Sequence, residues 1–385
     1  SSAASDVYKR QGLSDSTVVL FAGMFVVGAS MFYTGLAQKI GGVVVKMCGT
    51  GENSLMFGLM MVGTVLSSCL SNTGTAACLL PVALGICAAA KIPASRQLMP
   101  LAFACGWGGI ITMVGTPPNI IAVGAMTSAG LEPFGFFEFA WIGIPVSIAG
   151  MLYMMFVGKY LLPKVDLSAD QEIEQEIEAA STSSTKQIIS GVILALVIIT
   201  MAVGIPGVSL EIAAITGALV CVLTGCLTEK QAYASIDWVT IFLFAGMMPV
   251  SNAMDKTGAG KLIAEWAVSL MGGAPTPIIM TSVLFIISCT LTQFMSNTAA
   301  AALLAPVGVA ISQQLGASPK AVLMAIGVAA SCAFATPVGT PPCTLVLGPG
   351  GYKFMDYVKV GVPLVILCFI VSIIVIPMVW PFFPG

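Results

Sequence analysis

The sequence predicts an all-α polytopic membrane protein built from two similar halves, and three observations lead to this prediction. Hydrophobic residues make up 57% of the 385 positions and charged residues only 8%, whereas a soluble domain carries about a quarter charged residues. Apolar stretches of about 20 residues, the length that spans a bilayer, recur along the chain. In addition, a set of short motifs occurs twice in the same order.

The candidate membrane spans are long apolar segments. They cover residues 16–35, 98–127, 139–162, 187–205, 208–227, 236–254, 322–347 and 358–381. Two of them, 98–127 and 322–347, contain consecutive prolines, which remove backbone donors and interrupt a helix. We therefore expect two discontinuous helices, unwound near the middle of the membrane.

Internal repetition is the most informative feature of the sequence. The repeated motifs are Phe21–Met24 and Phe244–Met247, Ser71–Thr73 and Ser296–Thr298, Gly115–Pro118 and Gly339–Pro342, and Gly143–Pro145 and Gly361–Pro363. The members of each pair lie 218 to 225 residues apart, in the same order. This pattern predicts a first repeat at 12–163 and a second at 187–385. The acidic, Ser/Thr-rich segment 164–186 between them is predicted to be a cytoplasmic linker.

The two repeats are not equally complete. Two predicted helices, 187–205 and 208–227, precede the repeated part of the second half, and no matching pair precedes residue 16. Residues 1–11 are polar and lack the apolar core of a signal peptide, so we expect a non-native or disordered tail. We therefore expect the sequence to be truncated at its amino terminus.

The distribution of charge indicates how the halves lie in the membrane. If the linker is cytoplasmic, most lysine and arginine residues fall on the cytoplasmic side, as the positive-inside rule requires. The first Ser-Asn-Thr segment then enters from the cytoplasm and the second from outside. Two inverted-topology repeats with a binding site at the membrane midplane are typical of transporters.

Each Ser-Asn-Thr motif interrupts an apolar segment, at about 54–90 and 280–314. We expect a re-entrant helical hairpin in each segment, because exposed backbone at this depth is tolerated only beside a cavity or inside the protein. The preceding helix would end near Ser71 or Ser296 and offer carbonyl groups to a cation such as Na⁺. The following helix would start near Thr73 or Thr298 and offer free N–H groups to an anion.

Composition weighs against several other classes. The net charge of -2, without a basic patch, argues against nucleic acid as a partner. The sequence has no histidine, and its eleven cysteines show no metal-ligand spacing. A hydrolase using Ser71 or Ser296 would need a base, and none lies at the tips. A Na⁺/H⁺ antiporter would need a carboxylate at mid-membrane, and the tips and loops have none.

Simpler readings of single motifs stay open at this stage. A Ser-Asn-Thr motif alone is typical of a helix N-cap, and two consecutive prolines alone are typical of a kink. Asp237 and Glu211 lie near predicted helix starts, where capping is the ordinary interpretation. The motifs do not exclude a channel, although a transporter fits the duplicated tips better.

The paired tips and paired Gly-Thr-Pro-Pro loops resemble the divalent anion/sodium symporter family, the bacterial dicarboxylate transporters of the ion transporter superfamily. The resemblance extends over residues 16–381. It implies a multi-pass homodimer in a bacterial inner membrane, with two or more Na⁺ sites. It also implies Na⁺-coupled uptake of a di- or tricarboxylate such as succinate, malate or fumarate by an elevator mechanism. A Na⁺-independent exchanger, or a transporter of sulfate or another divalent anion, remains an alternative.

The resemblance also implies which residues form the site. The substrate residues would be Asn72, Thr73, Asn297 and Thr298, with Thr340 and Pro341 beside them. One Na⁺ site would comprise Ser67, Ser71, Asn72 and Gly115, and the second would comprise Thr292, Ser296, Asn297 and Gly339. The second loop departs from the family pattern, because Cys343 stands where the first loop has Asn119. Neither tip nor loop contains Lys or Arg, so bound Na⁺ and helix dipoles would balance the charge of the anion.

Overall fold

The computed structural model describes residues 16–48, 51–165, 184–203, 205, 207–259, 262, 265, 269 and 276–383. Within these ranges the protein is all-helical, as predicted, and contains no β-strand. The predicted tail at 1–11 and most of the predicted linker lie outside the described residues.

The helices of the first half are numbered in chain order. They are α1 (Ser16–Tyr33), α2 (Leu36–Cys48), α3 (Glu52–Ser67), α4 (Asn72–Ala90), α5 (Leu98–Gly108), α6 (Pro117–Ser128) and α7 (Ala140–Leu161). Helix α7 includes a π-helical turn at Met154–Gly158.

The remaining helices follow the linker. They are α8 (Ser184–Val203), α9 (Leu210–Leu223), α10 (Glu229–Ser235), α11 (Trp238–Thr257), α12 (Pro277–Thr292), α13 (Asn297–Leu315), α14 (Pro319–Ala330), α15 (Pro341–Leu347) and α16 (Phe354–Val379).

Several helices have the length and composition of membrane spans. Among the described residues, six qualify: α1, α4, α7, α8, α13 and α16. Large apolar side chains such as Leu196 on α8 and Ile374 on α16 are more than half exposed. In water such surfaces would be costly, whereas in a bilayer they contact lipid. The protein is therefore a multi-pass membrane protein.

The predicted span at 208–227 is shorter than expected. Helix α9 has 14 residues and ends before Gly225, whose φ of 70° is left-handed. The Gly225 N–H donates to Val222 O and the Cys226 N–H donates to Cys221 O, which closes the last turn. A left-handed glycine is a common way to stop a helix, and it moves the end of α9 inward.

The two hairpins have the same construction. The first arms, α3 and α12, each have 16 residues, and the second arms, α4 and α13, each have 19. The first arms end at Ser67 and Thr292, four residues before the predicted ends at Ser71 and Ser296. Residues 68–71 instead form the turn at the first tip, where the Cys69 N–H donates to Leu66 O.

The two discontinuous helices are also alike. Helix α5 is separated from α6, and α14 from α15, by irregular segments that end at Thr116 and Thr340. These two threonines have nearly the same extended backbone, with φ of -144° in both cases and ψ of 143° and 138°. Each is followed by two prolines in the first turn of the next helix, where a missing N–H costs nothing.

Packing across the halves brings the two tips together. Helix α6 packs against α13 and α14 of the second half, and α15 packs against α4 and α5 of the first. A cluster of buried rings, Phe103, Trp107, Phe334 and Tyr357, joins the broken helices at the centre. A second group of helices, α1, α8 and α9, packs together beside the hairpins and broken helices.

Candidate functional site

A cavity of about 750 Å³ lies where the two hairpin tips meet the two unwound loops. Its polar side is formed by both Ser-Asn-Thr motifs and by the starts of α6 and α15. Its apolar side is formed by α1, which contributes Phe21, Phe25 and Phe32. The segment between α10 and α11, with Asp237, also lines the cavity.

The structure brings the predicted site residues to this one place. All six predicted substrate residues line the cavity: Asn72, Thr73, Asn297, Thr298, Thr340 and Pro341. Of the predicted cation residues, Ser71, Asn72, Gly115, Ser296 and Asn297 line it as well. Ser67, Thr292 and Gly339 are not among the lining residues, but they contact the tip asparagines.

Ser71 and Ser296 are N-caps of the second hairpin arms. The Ser71 Oγ accepts a hydrogen bond of 3.1 Å from the Gly74 N–H, and the Ser296 Oγ accepts one of 3.1 Å from the Ala299 N–H. The capping interpretation of the motif is therefore correct for its serine. The caps also start α4 and α13 at the cavity, so that unpaired N–H groups and the positive dipole ends face it.

Behind the first tip, oxygen atoms converge on Asn72. The Ser67 Oγ lies 2.7 Å from the Asn72 Oδ1 and 2.8 Å from the Cys105 carbonyl oxygen. The same terminal position of the Asn72 amide lies 3.1 Å from the Cys105 carbonyl and 3.0 Å from the Gly115 carbonyl. Asn72 is 9% exposed, so this cluster is nearly closed to solvent.

The second tip repeats this arrangement around Asn297. The Thr292 Oγ1 lies 2.7 Å from the Asn297 Oδ1 and 2.6 Å from the Ala330 carbonyl oxygen. The terminal amide position of Asn297 lies 3.1 Å from the Ala330 carbonyl and 3.2 Å from the Gly339 carbonyl. Each member of this cluster has a counterpart in the first half, 224 or 225 residues earlier.

The carbonyl oxygens of the two clusters can find a partner in two ways. The amide nitrogen can turn toward the carbonyls and donate to them, or the amide oxygen can face them with a cation between. A hydroxyl, an amide oxygen and two backbone carbonyls are neutral oxygen ligands, and carbonyls at half-helix ends coordinate Na⁺ in transporters. The residues present therefore fit Na⁺ at both tips.

Glycine is required at the loop positions of both clusters. A Cβ at Gly115 would lie 2.5 Å from the Gly109 carbonyl oxygen, and a Cβ at Gly339 would lie 2.7 Å from the Thr292 carbonyl oxygen. Both contacts are with backbone atoms, which cannot swing away as the end of a side chain could. The glycine at 339 thus allows the second loop to approach its hairpin, and the glycine at 115 allows the first loop to pack against Gly109.

The two loops are held by different side chains. In the first loop the Asn119 Nδ2 donates to the carbonyls of Gly109, Ile110 and Thr112, at 3.4, 3.2 and 2.8 Å. Cys343, its counterpart, has no amide to do this. Instead, the Gln293 Nε2 donates to Cys332 O at 3.0 Å, and its Oε1 accepts from the Ala335 N–H at 3.0 Å.

Sequence reasoning missed several polar residues of the cavity, among them Thr116, Asp237 and Thr240. The Thr116 Oγ1 is buried without a hydrogen-bond partner in the described part of the chain, and Thr116 lines the cavity. As the repeat counterpart of Thr340, it could have been found by applying the repeat consistently. Asp237 and Thr240 also line the cavity. Asp237 is a helix cap as expected, since its Oδ1 accepts from the Thr240 N–H at 3.2 Å. Capping gave no reason to expect Asp237 at the cavity.

A bundle of membrane-length apolar helices around a cavity with paired hairpin tips defines a membrane transporter rather than an enzyme. The family model of citrate transporters (CitMHS) matches residues 9–316 and, in a second alignment, residues 208–383. The chain belongs to this family.

Known relatives agree with this assignment. An uncharacterized transporter of Haemophilus influenzae is 32% identical, over 94% of this chain and 80% of its own length. The uncharacterized transporter YfbS of Escherichia coli is 26% identical, over 96% and 92%. The sodium-dependent dicarboxylate transporter SdcS of Staphylococcus saprophyticus is 24% identical, over 93% and 75%.

Two solved structures share the fold. The Alcanivorax borkumensis YdaH transporter superposes with a TM-score of 0.71 at 16% identity, over 97% of this chain and 86% of that one. Neisseria gonorrhoeae MtrF, an antimetabolite efflux pump, superposes with a TM-score of 0.70 at 15% identity, over 98% and 85%. At these identities the similarity establishes the fold only.

Proposed function

We propose that the protein is a secondary active transporter that couples Na⁺ to the uptake of a di- or tricarboxylate such as succinate, malate or fumarate. The observation that carries the proposal is the duplicated oxygen cluster behind each tip, directly beside a helix N-terminus that faces a common cavity. A cation and an anion would then bind next to each other at each tip. The SdcS relatives, named sodium-dependent dicarboxylate transporters, support this pairing of Na⁺ with a dicarboxylate.

The cation sites would comprise Ser67, Ser71, Asn72 and Gly115 in the first half, and Thr292, Ser296, Asn297 and Gly339 in the second. Na⁺, when bound, supplies the positive charge that the anion needs. Each tip asparagine contacts both regions. Its side chain lies in the carbonyl cluster, and its backbone begins the helix that lines the cavity. An ordered asparagine therefore links the cation cluster to the anion site.

The anion would lie between Asn72, Thr73, Asn297 and Thr298, with Thr340 and Pro341 beside it. Two helix N-termini attract negative charge, each by typically 0.3–1 kcal/mol at exposed sites and by up to about 2 kcal/mol when partly buried. This attraction alone is modest for a dianion that must leave water. Neutralisation by two Na⁺ would supply the rest, which makes anion binding dependent on Na⁺.

The wider expectations belong to the same proposal. The hairpins, the broken helices, α7 and α16 would form the body that carries the anion, and would move as an elevator against α1, α8, α9 and α11. The halves at 12–163 and 187–385 would be inverted in a bacterial inner membrane, joined by a cytoplasmic linker at 164–186. The protein would be a homodimer.

The test measures thermal stability of the purified protein with succinate, malate, citrate or sulfate, in Na⁺ and in choline. We expect stabilisation by a dicarboxylate only when Na⁺ is present. Equal stabilisation in choline would contradict Na⁺ coupling and favour an exchanger. Stabilisation by sulfate alone would contradict the carboxylate class.

A pair of variants on one helix assigns the effect to the site. Asn297→Ala removes the central group of the second cluster, and we expect it to abolish the stabilisation by anion and Na⁺ together. Ser312→Ala is the matched control, because the Ser312 hydroxyl is buried on the same helix and, within the described part of the chain, donates only to Val309 O, one turn back. If both variants respond to the ligands as the unchanged protein does, the assignment of Asn297 to the binding site is wrong.

A further inference from the structure

A chain of three side chains connects the start of α11 to the second tip. The Thr240 Oγ1 lies 2.5 Å from the Asp237 Oδ2, and it lies 3.3 Å from the Thr298 Oγ1. The other carboxylate oxygen, Oδ1, accepts from the Thr240 N–H at 3.2 Å. Asp237, Thr240 and Thr298 all line the cavity, and Thr298 is one of the residues proposed to bind the anion.

The direction of this hydrogen-bond chain follows from the chemistry of its members. An ionised carboxylate only accepts, and a hydroxyl has a single proton to donate. The Thr240 hydroxyl therefore donates its hydrogen bond to Asp237, and toward Thr298 the Thr240 oxygen can only accept. The contact between the two threonines can then be made only if Thr298 donates to Thr240.

The consequence at the cavity concerns Thr298. With its proton directed at Thr240, the Thr298 oxygen presents lone pairs to a ligand. A ligand carboxylate oxygen placed there would meet another acceptor, whereas a ligand hydroxyl would find a partner for its proton. Thr240 is 1% exposed and Thr298 8%, so water has little room to relieve a mismatch.

We propose that Asp237 is a positioning residue for substrate specificity: it orients Thr240 and Thr298 so that the site prefers carboxylates carrying a hydroxyl group over unsubstituted ones. This inference rests on the proposed anion site and adds the choice among anions. Malate and succinate form a suitable pair of probes, since they differ by one hydroxyl on the same four-carbon dicarboxylate.

Asp237→Asn reverses the chain without changing its size. The Thr240 N–H needs an acceptor, so the introduced amide places its oxygen at the Oδ1 position. Its nitrogen then takes the Oδ2 position and donates to Thr240. Thr240 in turn donates to Thr298, and the Thr298 hydroxyl is left free to donate to a ligand carboxylate.

The substitution also removes a negative charge from the cavity, and a second variant separates the two effects. Thr240→Val keeps the Asp237 charge but removes the hydroxyl that accepts from Thr298. Thr298 is again free to donate to a ligand. Charge removal strengthens the binding of both dianions alike, whereas release of Thr298 favours succinate over malate.

The experiment measures the dissociation constants of malate and succinate in saturating Na⁺, at a pH where both acids are fully ionised. We expect the unchanged protein to bind malate more tightly, and both Asp237→Asn and Thr240→Val to shift the malate-to-succinate affinity ratio by about tenfold toward succinate. Thr240→Ser, which keeps the hydroxyl, should retain the original ratio.

The outcomes separate this inference from the proposed function. If the unchanged protein binds neither acid in Na⁺, the proposed function fails. If it binds them but Asp237→Asn and Thr240→Val both leave the affinity ratio unchanged, the positioning role of Asp237 is overturned. A shift of the ratio with Asp237→Asn but not with Thr240→Val would show that the effect does not pass through Thr240, and would also overturn it.

Discussion

Ser67 and Thr292 hold the same position in the two halves of the molecule: each hydroxyl oxygen lies 2.7 Å from the amide oxygen of its tip asparagine. Each also lies within 2.8 Å of a carbonyl oxygen where its broken helix unwinds, at Cys105 and at Ala330. Serine and threonine differ by one methyl group, and the hydroxyl oxygen is the polar atom that the duplicated geometry retains.

The first prediction concerns these two hydroxyls. Ser67→Ala and Thr292→Val each remove one oxygen from a proposed cation cluster while keeping the packing nearly unchanged. We expect each variant to need about tenfold more Na⁺ for half-maximal stabilisation by the anion, since a hydrogen-bond-sized contribution to binding is lost. Thermal stability as a function of Na⁺ concentration measures this, and an unchanged Na⁺ dependence in both variants would argue against the two clusters as cation sites.

The second prediction concerns the close approach of the second loop to its hairpin. In Gly339→Ala the added Cβ would lie 2.7 Å from the Thr292 carbonyl oxygen, so the loop must move away from Asn297. We expect a loss of about 1–3 kcal/mol in stability, typical of overpacking, together with loss of the Na⁺ response. The melting temperature with and without Na⁺ measures both effects.

Gly348→Ala is the matched control for that loop. A Cβ at Gly348 has no neighbour within 4 Å, and its φ of -68° suits any residue. We expect its melting temperature and Na⁺ response to stay within error of the unchanged protein. A Gly339→Ala variant that behaved like Gly348→Ala would mean that the loop can retreat without disturbing the cluster.

Much of this architecture could be predicted from the sequence, because the repeat identifies equivalent positions. The hairpins, the broken helices and the shared location of the tip residues all follow from motifs that occur twice. The predicted ends of the first arms at Ser71 and Ser296 were wrong by four residues. Hydroxyl residues occur on both sides of the turn at 68–71, from Ser67 to Thr75, so composition marks the tip as a region but not the residue at which the first arm ends.

What the sequence could not reveal depends on contacts between distant segments. Asp237 follows the short helix α10 and looks like a cap, and only tertiary packing brings it to the second tip. Gln293 lies inside an apolar hairpin with no sequence signal for its role. The counterpart of Asn119 is a cysteine, which cannot hold the second loop as Asn119 holds the first. The contacts of Gln293 show that it holds the loop instead.

The third prediction concerns Gln293. In Gln293→Ala the buried Cys332 carbonyl loses its amide donor and is left with the weak Cys289 thiol at 3.6 Å, and the partly buried Ala335 N–H loses its acceptor. Leaving buried polar groups unpaired costs about 1–3 kcal/mol each, so we expect a marked drop in melting temperature. Gln314→Ala, an exposed glutamine on α13, should change stability little. Equal melting temperatures for the two variants would contradict the role of Gln293 in holding the loop.

The fourth prediction concerns the ends of the second arms, where the two halves have different residues in the same left-handed backbone conformation. The residue that follows α4 is Lys91 and the residue that follows α13 is Gly316, both in the left-handed region with φ of 54° and 62°. Only glycine adopts this conformation without steric cost, and Lys91 is the one non-glycine residue with positive φ among the described residues. We expect Lys91→Gly to stabilise the protein by about 1 kcal/mol.

Gly316→Lys makes the opposite substitution in the second half, and we expect it to change the stability in the opposite direction. In Gly316→Lys the new Cβ has open space around it, because nothing lies within 4 Å of a Cβ at that position. Any loss of stability would therefore come from the backbone conformation, and we expect about 1 kcal/mol. Melting temperatures of the two variants should move in opposite directions. If a favourable charge of lysine near the helix end outweighed the backbone term, both shifts would reverse, with Lys91→Gly lowering and Gly316→Lys raising the melting temperature, and this would contradict the prediction.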